Sequence, residues 1–214
     1  GDDPNSDWAQ GYGFQFWRSR HGAYRGDGAF GQFCLVMPVQ NAVVAITASS
    51  NDLQGVLDAV WEHLLPGMLG IEPEAVEGLQ LPAPSGAGSA PRGVLSRTYT
   101  RADGESPIES VRLELEGERQ ALCLRDAEGD HQIAVAPDRW LPSRGLFGAR
   151  EVACKGGWTG TRRFEAKVCD VSSPMNVHLA FEFDGDQVRG TLRRKGTFLP
   201  EELPDFVGEA SPSV

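Results

Sequence analysis

Lysine is scarce in this sequence. Of its 20 basic residues, only Lys155, Lys167 and Lys195 are lysines. Any chemistry that needs a lysine beside a nucleophile therefore has three places to find one. Long apolar runs are lacking too: none approaches the ~18 residues that span a bilayer, and the acidic start Gly1–Asp7 is unlike a signal peptide. The four histidines (His21, His63, His131 and His178) lie far apart, with no His-Glu-x-x-His and no calcium-loop pattern, so neither a metal nor a cofactor is expected. Cys34, Cys123, Cys154 and Cys169 form no Cys-x-x-Cys pair, which leaves a zinc ribbon or a thioredoxin-type motif without support. Cys34 and Cys123 fall in apolar or alternating runs and read as small buried hydrophobes. Reduced cysteines imply a cytoplasmic setting. The net charge of −10 argues against a general phosphate-binding surface, so neither nucleic acid nor membrane is an expected partner.

What is present divides near residue 70. Gly11–Arg18 alternates, with Tyr12, Phe14 and Phe16 on one face, and reads as a strand. Phe33–Met37 and Ala42–Ala48 are unbroken apolar runs, the pattern of strands covered on both faces. Asp52–Leu65 places Leu53, Val56, Leu57, Val60, Trp61, Leu64 and Leu65 at helical spacing, with Ser50 or Asn51 as cap and Pro66-Gly67 as stop. Residues 1–72 are thus expected to form three antiparallel strands and a helix. Residues 73–92, rich in Pro, Gly, Ser and Ala, read as a linker. Residues 93–214 alternate in short segments, among them Val111–Leu115, Arg119–Arg125, His131–Val135, Arg163–Val168 and Val177–Phe183. About eight such strands suggest a small antiparallel barrel or sandwich, lipocalin-like in form. The expected fold class is α+β.

Gly26-Asp27-Gly28-Ala29-Phe30-Gly31 fits Gly-x-Gly-x-x-Gly, but a strand follows it where a dinucleotide site needs a helix N-terminus. The glycines imply instead a close backbone approach. Arg162-Arg163 and Arg193-Arg194-Lys195 could form a basic patch. With Glu165 and Glu182 in the same pattern, they read as a solvated face of mixed charge.

The run Gly11-Tyr12-Gly13-Phe14-Gln15-Phe16-Trp17, followed by His21 to Gln32, Val36-Met37-Pro38 and Val43 to Thr47, resembles the end of the transpeptidase-like domain of serine hydrolases related to class C β-lactamases and penicillin-binding proteins. The resemblance implies a C-terminal portion of such a hydrolase with an appended β domain. The parent would hydrolyse an ester or amide small molecule through a serine acyl-enzyme. It also implies that Ala29 donates its backbone N–H to the oxyanion, and that Tyr24, Arg25, Gly26, Asp27 and Gly28 line the substrate. The residues three before the lysines are Val152, Phe164 and Leu192, so no Ser-x-x-Lys nucleophile is present. The chain by itself is then expected to be inactive, and to bind a missing N-terminal half or to self-associate. The alternative is a non-catalytic β-barrel module that binds a small molecule or packs against a protein partner.

Overall fold

Short segments of alternating polarity dominate the chain, and 51% of it forms strand. The computed structural model describes residues 3–71, 82–86, 88–116 and 119–211, and the chain divides into two units, Gly1–Gln80 and Leu81–Val214.

The first unit is a five-stranded antiparallel sheet in sequence order: β1 (Tyr12–Gly13), β2 (Phe16–Arg18), β3 (Tyr24–Gly28), β4 (Gln32–Met37) and β5 (Ala42–Ile46). A helical stretch follows, α1 (Leu53–Ala59), a π-type segment (Val60–Leu64) and α2 (Leu65–Met68). Asp52 caps it, its Oδ1 accepting the Gly55 N–H at 2.8 Å. Phe33, Leu35 and Met37 pack on Leu57, Val60, Trp61 and Leu65. Tyr24, Cys34 and Val43 face away from that core and are exposed. The unbroken apolar run of β4 is therefore covered on one face only, and Cys34 is not the buried hydrophobe its surroundings suggest. Gly11–Arg18 is likewise not one strand. Phe14 and Gln15 take positive φ (53° and 68°) and turn the chain into the β1–β2 hairpin. Asp7, fully buried, ties the unit together. Its carboxylate accepts the Arg20 N–H at 2.8 Å, Gln54 Nε2 at 2.8 Å and the Trp61 indole N–H at 3.0 Å.

The second unit is a ten-stranded antiparallel sheet. Its strands are β6 (Thr98–Asp103), β7 (Ser110–Glu116), β8 (Arg119–Asp126), β9 (Gly129–Val135), β10 (Leu141–Leu146), β11 (Ala149–Trp158), β12 (Arg163–Asp170), β13 (Asn176–Asp184), β14 (Gln187–Lys195) and β15 (Glu202–Ala210), in the order β10-β11-β12-β13-β14-β15-β6-β7-β8-β9. The two ends of this order curl together into a nearly closed barrel. The Gly156 N–H donates to the Ala136 carbonyl at 3.0 Å and the Ala134 N–H to Ser143 Oγ at 2.9 Å across the seam. Closure removes the open edges that would template further pairing.

Residues 82–86 and 88–94 belong with this barrel. The Gly88 N–H donates to the Trp158 carbonyl at 2.7 Å, and Val94 is buried in the core. A Cβ on Gly86 would lie 3.1 Å from the Gly157 Cα, so the segment runs backbone against backbone at the seam. Residues 73–81 and Ala87 of the expected linker lie outside the described residues.

The expected α+β class is corrected by this architecture. The chain is mainly β, with one short helical stretch on a five-stranded sheet and most strand residues in the ten-stranded barrel. The helix dominates the sequence pattern because its period is the sharpest there. Strands such as β10 and β15, which carry proline and glycine, hardly alternate at all.

Candidate functional site

The outer wall of the barrel gathers the lysines. Along β11 to β14 the inward positions are Cys154, Ala166, Val168, Val177, Leu179 and Leu192, all buried. Strand alternation then turns the intervening residues outward. Cross-strand register sets Lys155 opposite Lys167, Lys167 opposite His178, and His178 opposite Arg193. Four neighbouring strands thus place a basic side chain at the same level. Lys195 lies two residues further along β14, opposite Asn176. All three lysines of a chain with net charge −10 share this wall.

Pro82, Ala83 and Pro84 run along the wall and turn it into a groove of about 460 Å³, lined also by Glu165, Lys167, Asn176, His178, Arg193, Lys195 and Glu201. Lys167 Nζ donates to the Pro82 carbonyl at 3.2 Å. Carboxylates sit at the margins: Glu202 is 3.4 Å from Arg193 and Glu201 is 3.6 Å from Lys195. Glu165 Oε2 is 3.5 Å from His178 Nε2. Among the described residues, neither Lys155 nor Lys167 is ion-paired with a carboxylate. Burial holds the His178 imidazole below its ordinary pKa, and the Arg163 and Lys167 charges add to this against the pull of Glu165. Such a wall can hold anions by charge and hydrogen bonding; it offers no activated nucleophile.

The sequence shows only fragments of this arrangement. Arg193 and Lys195 fall in the run that reads as a solvated mixed face. Lys155, Lys167 and His178 join them only through strand register, which a sequence does not print. The usable signal was the scarcity of lysine itself.

The residues that the hydrolase resemblance picks out lie in the first unit. Tyr24, Gly26 and Gly28 are on the face of β3 away from the helix, and Ala29 is exposed in the turn to β4. β2 pairs with β3 only at Tyr24 and Arg25, so Gly26, Asp27 and Gly28 pair with β4 alone. Arg25 is fully buried on the core face. Its guanidinium donates to Ser19 Oγ at 2.8 Å, ion-pairs with Asp27 at 3.0 Å and stacks 4.4 Å above the Trp8 ring. Its contacts are those of a cation built into the core.

One other cluster has metal-binding residue types. Asp126, Glu128 and His131 on the β8–β9 hairpin bring one ligand atom each within 4.8 Å of one another. They are bonded among themselves, with Asp126 Oδ1 accepting the Glu128 N–H at 2.8 Å and lying 2.8 Å from His131 Nε2. The four cysteines are all free; burial raises the Cys154 thiol to about 12 and the Cys123 thiol to about 11, which keeps both protonated and unreactive at neutral pH.

No family model matches the chain, and no curated protein matches it. Among solved structures it is similar to a secretary abundant heat soluble (SAHS) protein from Ramazzottius varieornatus, at 12% identity and a TM-score of 0.37, over 48% of this chain and 70% of that one. A TM-score of that size assigns no fold, and the architecture rests on the strand order itself. The serine-hydrolase resemblance is withdrawn. No hydrolase family model supports it, and most of the chain is a ten-stranded β-barrel. With it go the acyl-enzyme reaction, the ester or amide substrate and the roles given to Ala29 and to Tyr24–Gly28. The glycine-rich hairpin that carried the resemblance is a local feature, and tight antiparallel turns of this kind recur in unrelated sheets.

Proposed function

We propose that this chain is a non-catalytic β-barrel module that binds a partner on the outside of its barrel. The observation that supports this is the packing of aromatic side chains inside the barrel. Trp158 packs on Phe164 and Phe183 with ring centroids 5.6 and 5.4 Å apart, Tyr99 on Phe183 at 5.2 Å, and Phe181 on Phe206 at 6.3 Å. The wall is thinned to admit these rings: a Cβ on Gly190 would lie 2.7 Å from the Phe181 ring, and one on Gly208 2.6 Å from the Phe206 ring. An interior packed this closely leaves the outer wall as the binding surface. The free cysteines favour a reducing, cytoplasmic setting for the module. Among the described residues no helix is long and apolar enough to cross a membrane.

Trp158 reports on the interior, since its indole N–H ends there without an acceptor. Titrating the full chain with a fatty acid or another apolar ligand should leave the Trp158 emission, identified by difference from Trp158→Phe, unchanged. Saturable quenching or a spectral shift of that band would overturn the proposal in favour of an internal carrier.

A further inference from the structure

The basic row on β11 to β14 is an unusual use of few lysines. Like charges placed directly opposite each other across paired strands oppose the pairing. Here Lys155 directly faces Lys167, and Arg193 follows one strand beyond His178, whose imidazole is kept neutral by burial. Nothing in the barrel core asks for them: they point outward, and Lys167 is bonded to a neutral carbonyl. Adjacent strands lie about 4.8 Å apart, so the row spans roughly 14 Å. A single phosphate or carboxylate would meet only one end of it. In an extended peptide, residues on one face recur about every 6.8 Å, and three alternate carboxylates span about the same ~14 Å.

We infer that the groove lined by Pro82–Pro84, Lys167, His178, Arg193 and Lys195, with Lys155 beside it on β11, binds an extended acidic peptide segment of a protein partner. This deepens the proposed outer-wall binding and rests on it. Charge complementarity selects the partner class. The groove carries Lys167, Arg193 and Lys195 against Glu165 and Glu201, a small positive excess in a molecule of net charge −10, and Lys155 adds to it from the next strand, so a sparsely charged anion is favoured on this wall. Nucleic acid fits the same wall poorly. Glu165 and Glu201 face the groove and Glu202 borders Arg193, where a dense phosphate backbone would meet repulsion. Among the described residues no phenylalanine, tyrosine or tryptophan lines it to stack a base. A peptide with spaced carboxylates can set its acids at Lys155 and Lys167, which have no carboxylate partner among the described residues, and lay its apolar atoms on Pro82 and Pro84.

The test is fluorescence anisotropy with the full chain and a labelled (Thr-Glu)4 peptide, against its (Thr-Gln)4 counterpart and a single-stranded oligothymidylate. The glutamate peptide should bind saturably, the glutamine peptide should not, and 200 mM salt should weaken binding relative to 20 mM. Lys155→Gln combined with Lys167→Gln should weaken binding at least tenfold. Arg125→Gln, on β8 and paired with Glu109 and Asp130, should leave it unchanged. Absence of glutamate-peptide binding, binding indifferent to the double substitution, or tighter binding of the oligothymidylate would each overturn the inference. None of these outcomes bears on the Trp158 titration, so the two readings fail separately.

Discussion

Lys155 on β11 lies directly opposite Lys167 on β12, with no carboxylate ion-paired to either among the described residues. In an antiparallel pair this places two ammonium-bearing stems about 5 Å apart at Cβ, where opposite charges would help the sheet and like charges work against it. A wall selected for stability alone would set an acid at one of the two positions, as β12 and β13 do with Arg163 opposite Glu182.

Lys155→Glu should therefore stabilise the barrel, by about 0.2–1 kcal/mol, while abolishing acidic-peptide binding. Urea unfolding of the full chain measures the first effect and anisotropy the second. A loss of stability on this substitution would mean that Lys155 has a structural partner.

Gly190→Ala should cost about 1–3 kcal/mol through overpacking, because its Cβ would fall 2.7 Å from the Phe181 ring. Phe181→Ala should cost about 3–5 kcal/mol and leave a cavity able to take up benzene, which the parent should exclude. Thermal melts with and without benzene check both. Uptake of benzene by the unsubstituted chain would show that the interior is not filled.

How much of this was legible in the sequence depends on which physical signal each part leaves. β7, β12 and β13 were plain, because Val111-Leu113, Phe164-Ala166-Val168 and Val177-Leu179-Phe181 alternate with polar residues at period two. The helix on the first sheet was plain from the spacing of Leu53, Leu57, Val60 and Trp61. β10, β11 and β15 were not, since Pro142, Gly156, Gly157, Pro204 and Gly208 interrupt their pattern and only the paired neighbours define them. The groove was invisible for a related reason. Lys155, Lys167 and Arg193 are each ordinary outward residues on their own strand, and only the register of three strand pairs brings them to one level. The hydrolase resemblance misled because Gly26, Gly28 and Gly31 record a tight hairpin, which many folds need.

Asp7 gives the first unit a pH dependence. Burial alone would raise its pKa, but hydrogen bonds from Gln54, Trp61 and the Arg20 backbone, with the Arg20 charge, more than offset this and hold it below the ordinary carboxylate value. A folded-state pKa below the unfolded one means stability that is fully present above about pH 4 and lost as pH falls through the folded value. Protection factors of the Tyr24–Ile46 amides, taken against the intrinsic rate at each pH, should accordingly fall on acidification below pH 4. Asp7→Ala should cost about 1–3 kcal/mol at neutral pH, because it leaves the Trp61 indole N–H without its acceptor and takes one of two carboxylates from Arg20 and Gln54, which keep Asp58. It should also flatten the acid dependence. An unchanged acid profile in Asp7→Ala would assign the effect to another group.

Gly88 has no room for a side chain, since a Cβ there would lie 2.3 Å from the Gly160 carbonyl oxygen. Gly88→Ala should lift residues 82–94 off the seam, releasing the bond to the Trp158 carbonyl and exposing Val94. Faster exchange of the 88–94 amides and a fall in Tm of several degrees are expected, along with weaker peptide binding, because Pro82–Pro84 form one side of the groove. Unchanged exchange would show that the seam yields while the segment stays.

The most direct measurement is an amide and indole NMR titration of the full chain with the (Thr-Glu)4 peptide. Binding on the outer wall predicts shifts at Lys155, Lys167, His178, Arg193 and Lys195 and along residues 82–86, with the Trp158 indole and the amides of the first unit unmoved. Shifts centred on the Trp158 indole and the inward residues of the barrel, or on Tyr24–Gly28, would contradict it.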